Sequence, residues 1–152
     1  MTDQDFMALA LAEAKQAGLR GEVPVGAILV KGGDVIASGS NAVIALHDPT
    51  AHAEVLALRA AGQILQNYRL PDCELFVTLE PCAMCAAAMI HARISRVVYG
   101  ASDPKTGAAG GLLNVFDTTF NHQTMVEGGV LGQECGELLS DFFRAKRALA
   151  KG

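Results

Sequence analysis

The spacing of apolar and polar residues divides the first half of the chain into a helix, a hairpin and a second helix. Apolar residues recur at helical spacing from residue 3 to residue 17, which predicts an amphipathic helix that ends at Gly18. Two apolar runs, Val23 to Val30 and Val35 to Ser38, flank the sequence Lys-Gly-Gly-Asp and predict a β-hairpin. Residues 51–65 have helix-forming composition, so a second helix follows.

The second half of the chain is typical of a strand, a helix and a strand in succession. Leu75 to Thr78 and Arg96 to Gly100 have strand-like composition, and the segment from Pro81 to His91 is rich in alanine and methionine. Such a unit joins two parallel strands. With the hairpin, a short strand near residues 124–127 and a last helix from Glu134 to Lys151, this predicts an α/β fold in which helices cover a mixed sheet.

Composition and charge suit one compact domain. The chain has 152 residues, of which 51% are apolar and 18% charged, with a net charge of -4. We therefore predict a single domain over residues 1–152, with no segment apolar enough to span a membrane. The first residues include Asp3, Asp5 and Glu13, unlike the basic start of a signal peptide. We expect a cytoplasmic protein whose cysteines form no disulfides.

Three side chains have the chemistry and the spacing of a catalytic zinc site. His52 stands in the sequence Thr-Ala-His-Ala-Glu, and Cys82 and Cys85 stand in Pro-Cys-Ala-Met-Cys. Zinc prefers imidazole and thiolate ligands, and three protein ligands leave the fourth tetrahedral position open to water. We predict one zinc ion per subunit, bound by these three side chains.

The positions of these residues relative to the predicted helix starts indicate where the metal lies. His52 and Glu54 are two residues apart, which on a helix separates them by about 200°. They therefore converge only beyond the helix N-terminus. We expect Asp48 and Pro49 to begin that helix as its cap and first-turn proline. The two cysteines begin the next helix, whose free amides stabilise thiolates, so two helix N-termini face one metal.

Taken alone, the Cys-x-x-Cys motif is compatible with two other uses. It could be a redox dithiol, or half of a structural zinc site completed by Cys73 or by another histidine. The joint pattern of His-x-Glu at one helix start and Pro-Cys-x-x-Cys at another is far more specific for a catalytic metal. The remaining histidines, His47, His91 and His122, have no ligand spacing and are expected to be surface or hydrogen-bonding residues.

Longer motifs extend over nearly the whole chain and carry a resemblance to a known family. They are Glu22-Val23-Pro24-Val25-Gly26-Ala27, His47-Asp48-Pro49-Thr50-Ala51-His52-Ala53-Glu54, Asn67-Tyr68-Arg69-Leu70, Thr78-Leu79-Glu80-Pro81-Cys82-Ala83-Met84-Cys85, Asp103-Pro104-Lys105-Thr106-Gly107-Ala108-Ala109-Gly110 and Leu139-Ser140-Asp141-Phe142-Phe143. These motifs resemble the bacterial tRNA-specific adenosine deaminases of the cytidine and deoxycytidylate deaminase superfamily. The resemblance implies a three-layer α/β/α cytidine-deaminase-like fold with a five-stranded sheet, a homodimer, and a tRNA anticodon stem-loop as the partner.

The resemblance also implies a reaction and the residues that perform it. The reaction is hydrolytic deamination of adenosine to inosine at the wobble position of a tRNA anticodon, with a zinc-bound hydroxide as nucleophile. Glu54 is the expected proton shuttle, which takes a proton from water, delivers it to N1 of adenine and then protonates the leaving amine. The expected substrate contacts are Asn41 to the base and Asp103, Phe142 and Phe143 to flanking nucleotides, with packing of the last helix open for the phenylalanines. Glu80 is expected to be a capping or structural acid.

Charge alone does not indicate RNA binding. A net charge of -4 is unlike that of a typical nucleic-acid-binding domain. The last helix ends with four basic residues that fit either phosphate contact or compensation of the helix dipole, namely Arg144, Lys146, Arg147 and Lys151.

Two other functions remain open at this point. A zinc deaminase of a free base, nucleoside or nucleotide of guanine, cytosine or cytidylate type shares the same machinery. A catalytically silent subunit would keep zinc for structure, but it would have no reason to keep Glu54 in register with the ligands.

Overall fold

The computed structural model describes residues 1–118 and 120–151, which form a mixed five-stranded sheet covered by helices. The elements in chain order are α1 (Asp3–Leu19), β1 (Gly26–Lys31), β2 (Asp34–Ser40), α2 (Ala53–Leu65), β3 (Cys73–Leu79), α3 (Ala83–His91), β4 (Arg96–Ala101), β5 (Met125–Glu127) and α4 (Gly132–Lys151). This order confirms the predicted one, with boundaries that differ by a few residues. Within the described ranges, no helix is long and apolar enough to cross a membrane.

The sheet combines antiparallel and parallel pairing in the spatial order β2-β1-β3-β4-β5. Strand β1 pairs antiparallel with β2 and β3, whereas β3, β4 and β5 run parallel. The β1–β2 hairpin turns at Gly32 and Gly33, whose φ angles of 60° and 82° lie in the left-handed region that glycine adopts readily. The predicted mixed sheet is therefore confirmed.

Alternating side chains of the central strands face two separate cores. Leu75 and Val97 belong to the core shared with α2 and α3, whereas their neighbours Phe76 and Val98 belong to the core shared with α1 and α4. Because successive side chains of a strand point to opposite faces, the sheet separates two helical layers. This is the three-layer α/β/α arrangement that the resemblance implies.

Two glycines let helices lie close against the hairpin. A Cβ at Gly26 would lie 2.1 Å from the carbonyl oxygen of Ala10 in α1, and a Cβ at Gly39 would lie 2.3 Å from that of Ala53 in α2. No side chain fits at such distances. The close contact at Gly39 fixes the first residues of α2 against β2, and His52 stands at that helix start.

The end of α1 differs from the prediction. The helix passes Gly18 and ends at Leu19. The chain reverses at Gly21, where φ is 85°. The backbone N–H of Glu22 then donates to the carbonyl oxygen of Ala17 at 3.0 Å and closes the helix end.

The predicted cap of α2 is wrong. The helix begins at Ala53, and Asp48 and Pro49 lie in the loop before it. The carboxylate of Asp48 accepts hydrogen bonds from the backbone N–H and the hydroxyl of Thr50, a local turn that competes with capping. The backbone N–H of Ala53 donates instead to Oδ1 of Asn41 at 2.8 Å. This partner is 12 residues away, so no local pattern predicts it.

Candidate metal centre and active site

Two helix N-termini place three metal-ligating side chains around one point. His52 is the N-cap residue of α2 and Cys82 is that of α3; both have extended backbones, and neither side chain caps its own helix. Cys85 follows in the first turn of α3 and is buried. The imidazole and the two thiols are therefore free to meet beyond the helix ends.

The distances between the ligand atoms fit tetrahedral zinc. Nδ1 of His52 lies 3.6 Å from Sγ of Cys82 and 3.4 Å from Sγ of Cys85. All three ligand atoms lie within 4.8 Å of one another. Bonds of about 2.3 Å to sulfur and 2.0 Å to nitrogen, set at a tetrahedral angle, require about 3.5 Å between nitrogen and sulfur. Both the donor set and its spacing therefore fit zinc.

The other cysteines and histidines lie elsewhere. Cys73 at the start of β3 and Cys135 in α4 are buried, and His47 and His91 are exposed. His122 is hydrogen-bonded through Nε2 to a backbone carbonyl oxygen at 2.7 Å. In the described part of the chain, no fourth residue joins the metal group. A structural site completed by Cys73 is thus excluded, and three ligands leave an open position.

Hydrogen bonding and burial distinguish the two thiols. The hydrogen bond with Cys85, supported by His52, lowers the pKa of Cys82 to about 4. The same hydrogen bond, together with burial, raises the pKa of Cys85. The hydrogen bond with Cys82 in turn raises the pKa of His52. A thiolate at Cys82 beside a helix N-terminus is the form of cysteine that metal ligation requires.

Glu54 lies in the first turn of α2, two residues after the ligand His52, and only 4% of it is exposed. Burial raises its pKa to about 7. A carboxyl group with a pKa near neutrality can both accept and return a proton. The structure thus brings together the expected shuttle and the three expected ligands.

A small pocket of about 240 Å³ opens onto these residues. Its lining consists of Val23, Val25, Asn41, Val43, His52, Glu54, Leu79, Glu80, Cys82, Asp103 and Thr106. Cavities for drug-sized ligands typically measure about 300–1,000 Å³, so this one suits a single base. Asn41 and Asp103, expected to contact substrate, therefore both lie at the pocket, and Asn41 also holds the start of α2.

Asp103 borders both the pocket and an adjacent groove of about 660 Å³. Its carboxylate accepts hydrogen bonds from the backbone N–H groups of Lys105 and Thr106, at 3.0 and 3.1 Å, and from the Thr106 hydroxyl at 2.7 Å. Burial opposes ionisation of Asp103, but these hydrogen bonds outweigh it and lower the pKa. The side chain is therefore fixed within its own loop.

The two phenylalanines of α4 lie outside the pocket and outside both cores. Phe143 is 40% exposed and lines the groove beside Arg144 and Arg147. Phe142 packs edge-on against it, with 5.4 Å between the ring centroids. Exposed rings next to cations are typical of surfaces that bind unpaired nucleotides.

Thr106 and Val43 also line the pocket, although no spacing in the sequence singles them out. Both lie in irregular loops whose paths depend on distant contacts. The glycines at 107, 110 and 111 mark one of these loops, but they do not indicate what it surrounds.

Comparison with known proteins assigns this arrangement to a family. Residues 1–101, which include the three ligands and Glu54, match the cytidine and deoxycytidylate deaminase zinc-binding region. A tRNA-specific adenosine deaminase of Haemophilus influenzae is 50% identical over 147 residues, which cover 95% of this chain and 85% of the relative. The chain belongs to the tRNA-specific adenosine deaminase family. Zinc is thus the metal that both the family and the ligand geometry indicate.

Solved structures separate the fold from the substrate class. A structure from a study of A-to-I editing by tRNA:A34 deaminases at the wobble position has a TM-score of 0.85 and 49% identity, covering 89% of this chain and 99% of its own. A guanine deaminase from Nitrosomonas europaea has a TM-score of 0.80 but 25% identity, covering 91% and 83%. The fold is shared with a deaminase of a free base, whereas the sequence is closer to the tRNA enzymes.

Proposed function

We propose that this deaminase converts adenosine to inosine at the wobble position of a tRNA anticodon. The main support is 50% identity with a tRNA-specific adenosine deaminase over 95% of the chain. In this proposal residues 1–152 are one deaminase domain. It acts in the cytoplasm, where its four cysteines stay free.

The reaction replaces the amino group on C6 of adenine with the oxygen of water and releases ammonia. Zinc, when held by His52, Cys82 and Cys85, supplies a Lewis acid that lowers the pKa of a water molecule. Glu54 accepts one proton from water as the C6–O bond forms and delivers it to N1. It then carries the second water proton to the amino group as the C6–N bond breaks, and ends as a carboxylate.

Asn41 and the pocket wall orient the base. Oδ1 of Asn41 accepts from the backbone N–H of Ala53, which leaves its amide NH₂ group to donate to the base. Val25 and Val43 add apolar surface to the pocket. This surface excludes water from the reacting atoms and helps to keep the pKa of Glu54 high.

The nucleotides that flank the target lie along the groove in this proposal. Phe143 offers a ring for stacking, and Phe142 supports that ring from the side. Lys105, Arg144 and Arg147 line the same groove and can meet phosphates. Single-stranded RNA loops are commonly bound through such stacking and phosphate contacts.

We also propose a homodimer that pairs through α2 and α3. A groove of about 960 Å³ lies between these helices, with Leu58, Tyr68 and Ala88 in its lining. Tyr68 is 82% exposed, and exposed apolar surface of this kind is typical of an interface. In this assembly we expect residues of both copies to line the RNA path. A fully active monomer in sedimentation at micromolar concentration would contradict this assembly.

The substrate class is tested by measuring inosine formation on an anticodon stem-loop and on free adenosine, with free guanine and cytidine in parallel. We expect the stem-loop to react orders of magnitude faster, because only it contacts the groove outside the target base. Comparable rates on a free base or nucleoside would indicate instead that the protein is a deaminase of small molecules.

Zinc content tests the site separately. Cys82→Ser is expected to lose the metal, whereas Cys73→Ser, which changes a buried cysteine outside the group, is expected to keep it. Equal loss of metal from the two variants would contradict the open site.

A further inference from the structure

A second buried carboxylate, Glu80, lies between β3 and the metal ligand Cys82, and only 3% of it is exposed. Its Oε1 accepts a hydrogen bond from the backbone N–H of Asp103 at 2.9 Å. Its Oε2 accepts hydrogen bonds from the backbone N–H groups of Ala109, at 2.9 Å, and Gly111, at 2.8 Å. Glu80 is thus a structural acid, as expected, but it caps no helix. Every donor to it comes from one stretch of backbone, which we call the 103–111 loop.

The 103–111 loop wraps closely around this carboxylate. A Cβ at Gly107 would lie 2.3 Å from Cδ and Oε2 of Glu80. A Cβ at Gly111 would lie 2.1 Å from the carbonyl oxygen of Asp103 and 2.9 Å from Oε1 of Glu80. The glycines therefore leave room for the carboxylate, and the three N–H groups fix the loop to it.

The same loop forms the wall between the pocket and the groove. Asp103 and Thr106 line both cavities. Their side chains are hydrogen-bonded to each other at 2.7 Å, so they move with the loop backbone. A base in the pocket and a neighbouring nucleotide in the groove would meet this wall from opposite sides.

We propose that Glu80 is a positioning residue that sets this wall, and through it the affinity for RNA. The inference rests on the proposed function, in which the target base and its neighbours occupy the two cavities. Glu80 acts through backbone hydrogen bonds and takes no part in proton transfer, which belongs to Glu54. These three hydrogen bonds anchor the loop to Glu80. Loss of this anchor should therefore weaken binding of the stem-loop and leave the rate of the chemical step unchanged.

Glu80→Gln is the sharpest test, because glutamine keeps one acceptor oxygen and replaces the other with an NH₂ group. The oxygen can still serve Ala109 and Gly111, but the N–H of Asp103 then faces a donor. We expect KM for the stem-loop to rise roughly tenfold or more, since hydrogen bonds to charged groups are strong. We expect kcat to stay within about threefold and zinc to remain bound.

Two comparisons separate positioning from a general loss of structure. Because Asp103 and Thr106 together form the wall, Glu80→Gln added to the double variant Asp103→Ala/Thr106→Ala should leave KM as it is in that double variant. Glu74→Gln changes another glutamate of the β3 segment, which pairs with Arg96 away from the pocket, and should leave KM unchanged. Additive effects, or an equal rise of KM in Glu74→Gln, would overturn the proposal.

Amide hydrogen exchange of the zinc-loaded protein without RNA gives a readout that needs no substrate. In Glu80→Gln, exchange at the N–H of Asp103 should become much faster, whereas exchange in α1 should be unchanged. If the N–H of Asp103 exchanged as slowly in Glu80→Gln as in the wild-type protein, Glu80 would not hold the loop, even if KM rose. If the wild-type protein fails to deaminate the stem-loop, the proposed function fails, and exchange still decides whether Glu80 holds the loop.

Gly107→Ala provides a second route if Glu80→Gln does not fold. It keeps the carboxylate but forces the loop away from it, so KM should rise in the same way with zinc retained. A fall of kcat at constant KM in either variant would overturn the positioning role, because the proposal places the effect in binding and not in the chemical step.

Discussion

Glu54 and Glu80 line the same pocket and are similarly buried, at 4% and 3% exposed. The groups that surround their carboxyl groups differ. Glu54 lies beside the ionisable groups of His52 and Cys82, and burial raises its pKa to about 7. Glu80 accepts hydrogen bonds from three backbone N–H groups of the 103–111 loop, which fix its side chain in place. Burial alone therefore does not distinguish a candidate proton carrier from a structural acid. The neighbouring groups do, because Glu54 lies beside the metal group whereas Glu80 is held by loop backbone.

The largest expected difference between the two glutamates is in kcat. Glu54→Gln removes the proposed proton carrier and should lower kcat on the stem-loop by about 10²–10⁴-fold with zinc retained. Glu80→Gln should change mainly KM. Steady-state kinetics on both variants, together with metal analysis, test the contrast. If Glu54→Gln kept a kcat within about tenfold of the wild-type value, Glu54 would not be a proton carrier and the contrast with Glu80 would fail.

The next test moves Glu54 without changing it. Gly39→Ala places a methyl group against the carbonyl oxygen of Ala53 and should displace the start of α2, lowering kcat by roughly 10-fold to 100-fold. Gly26→Ala makes a similar clash with α1, on the opposite face of the sheet. Both should lower the free energy of unfolding by about 1–3 kcal/mol. Equal kcat values in the two folded variants would contradict a precise placement of Glu54.

Glu22 extends the comparison to a third buried carboxylate. It is 1% exposed and accepts hydrogen bonds from the backbone N–H groups of Ile44 and Ala45, beside the pocket residue Val43. Glu22→Gln should therefore resemble Glu80→Gln, with a smaller rise of KM, about two- to fivefold, because two donors are involved rather than three. A large loss of kcat in this variant would instead indicate that Glu22, like Glu54, takes part in the chemical step.

The smallest effect on activity is expected at the opposite end of β4, where Arg96 pairs with Asp3, Glu74 and Glu127. These carboxylates are partly exposed, so Arg96→Gln should lower the free energy of unfolding by only about 1 kcal/mol and leave kcat and KM unchanged.

The pairing of Arg96 with Asp3 should also make the free energy of unfolding depend on pH. Hydrogen bonds from Arg96 lower the pKa of Asp3. Its stabilising contribution is therefore complete above the ordinary value near 3.9 and is lost as pH falls through the lower native value. Chemical denaturation should show this acid loss in the wild-type protein, and a weaker loss in Arg96→Gln.

The sequence predicts the features that depend on nearby residues. Gly32 and Gly33 mark the hairpin, and the His-x-Glu and Pro-Cys-x-x-Cys patterns identify a metal group that the structure assembles. It does not predict the cap of α2, because the side chain of Asp48 bonds locally while Asn41 reaches the helix from 12 residues away. The hydrogen bonds between Glu80 and the 103–111 loop cannot be predicted from local sequence for the same reason. Their donors lie 23 to 31 residues further along the chain.

The last turns of α4 have a consequence for handling the protein. Only Cys135 of this helix is buried, and every residue from Phe143 to Lys151 is exposed. A short helical segment with little tertiary packing is marginal in water, so the turns beyond Arg147, the last groove residue, fray at little cost in free energy. Trypsin should cut first at the exposed basic residues of this segment. A fluorescent label or a surface tether attached beyond Arg147 would leave both cores and the groove intact.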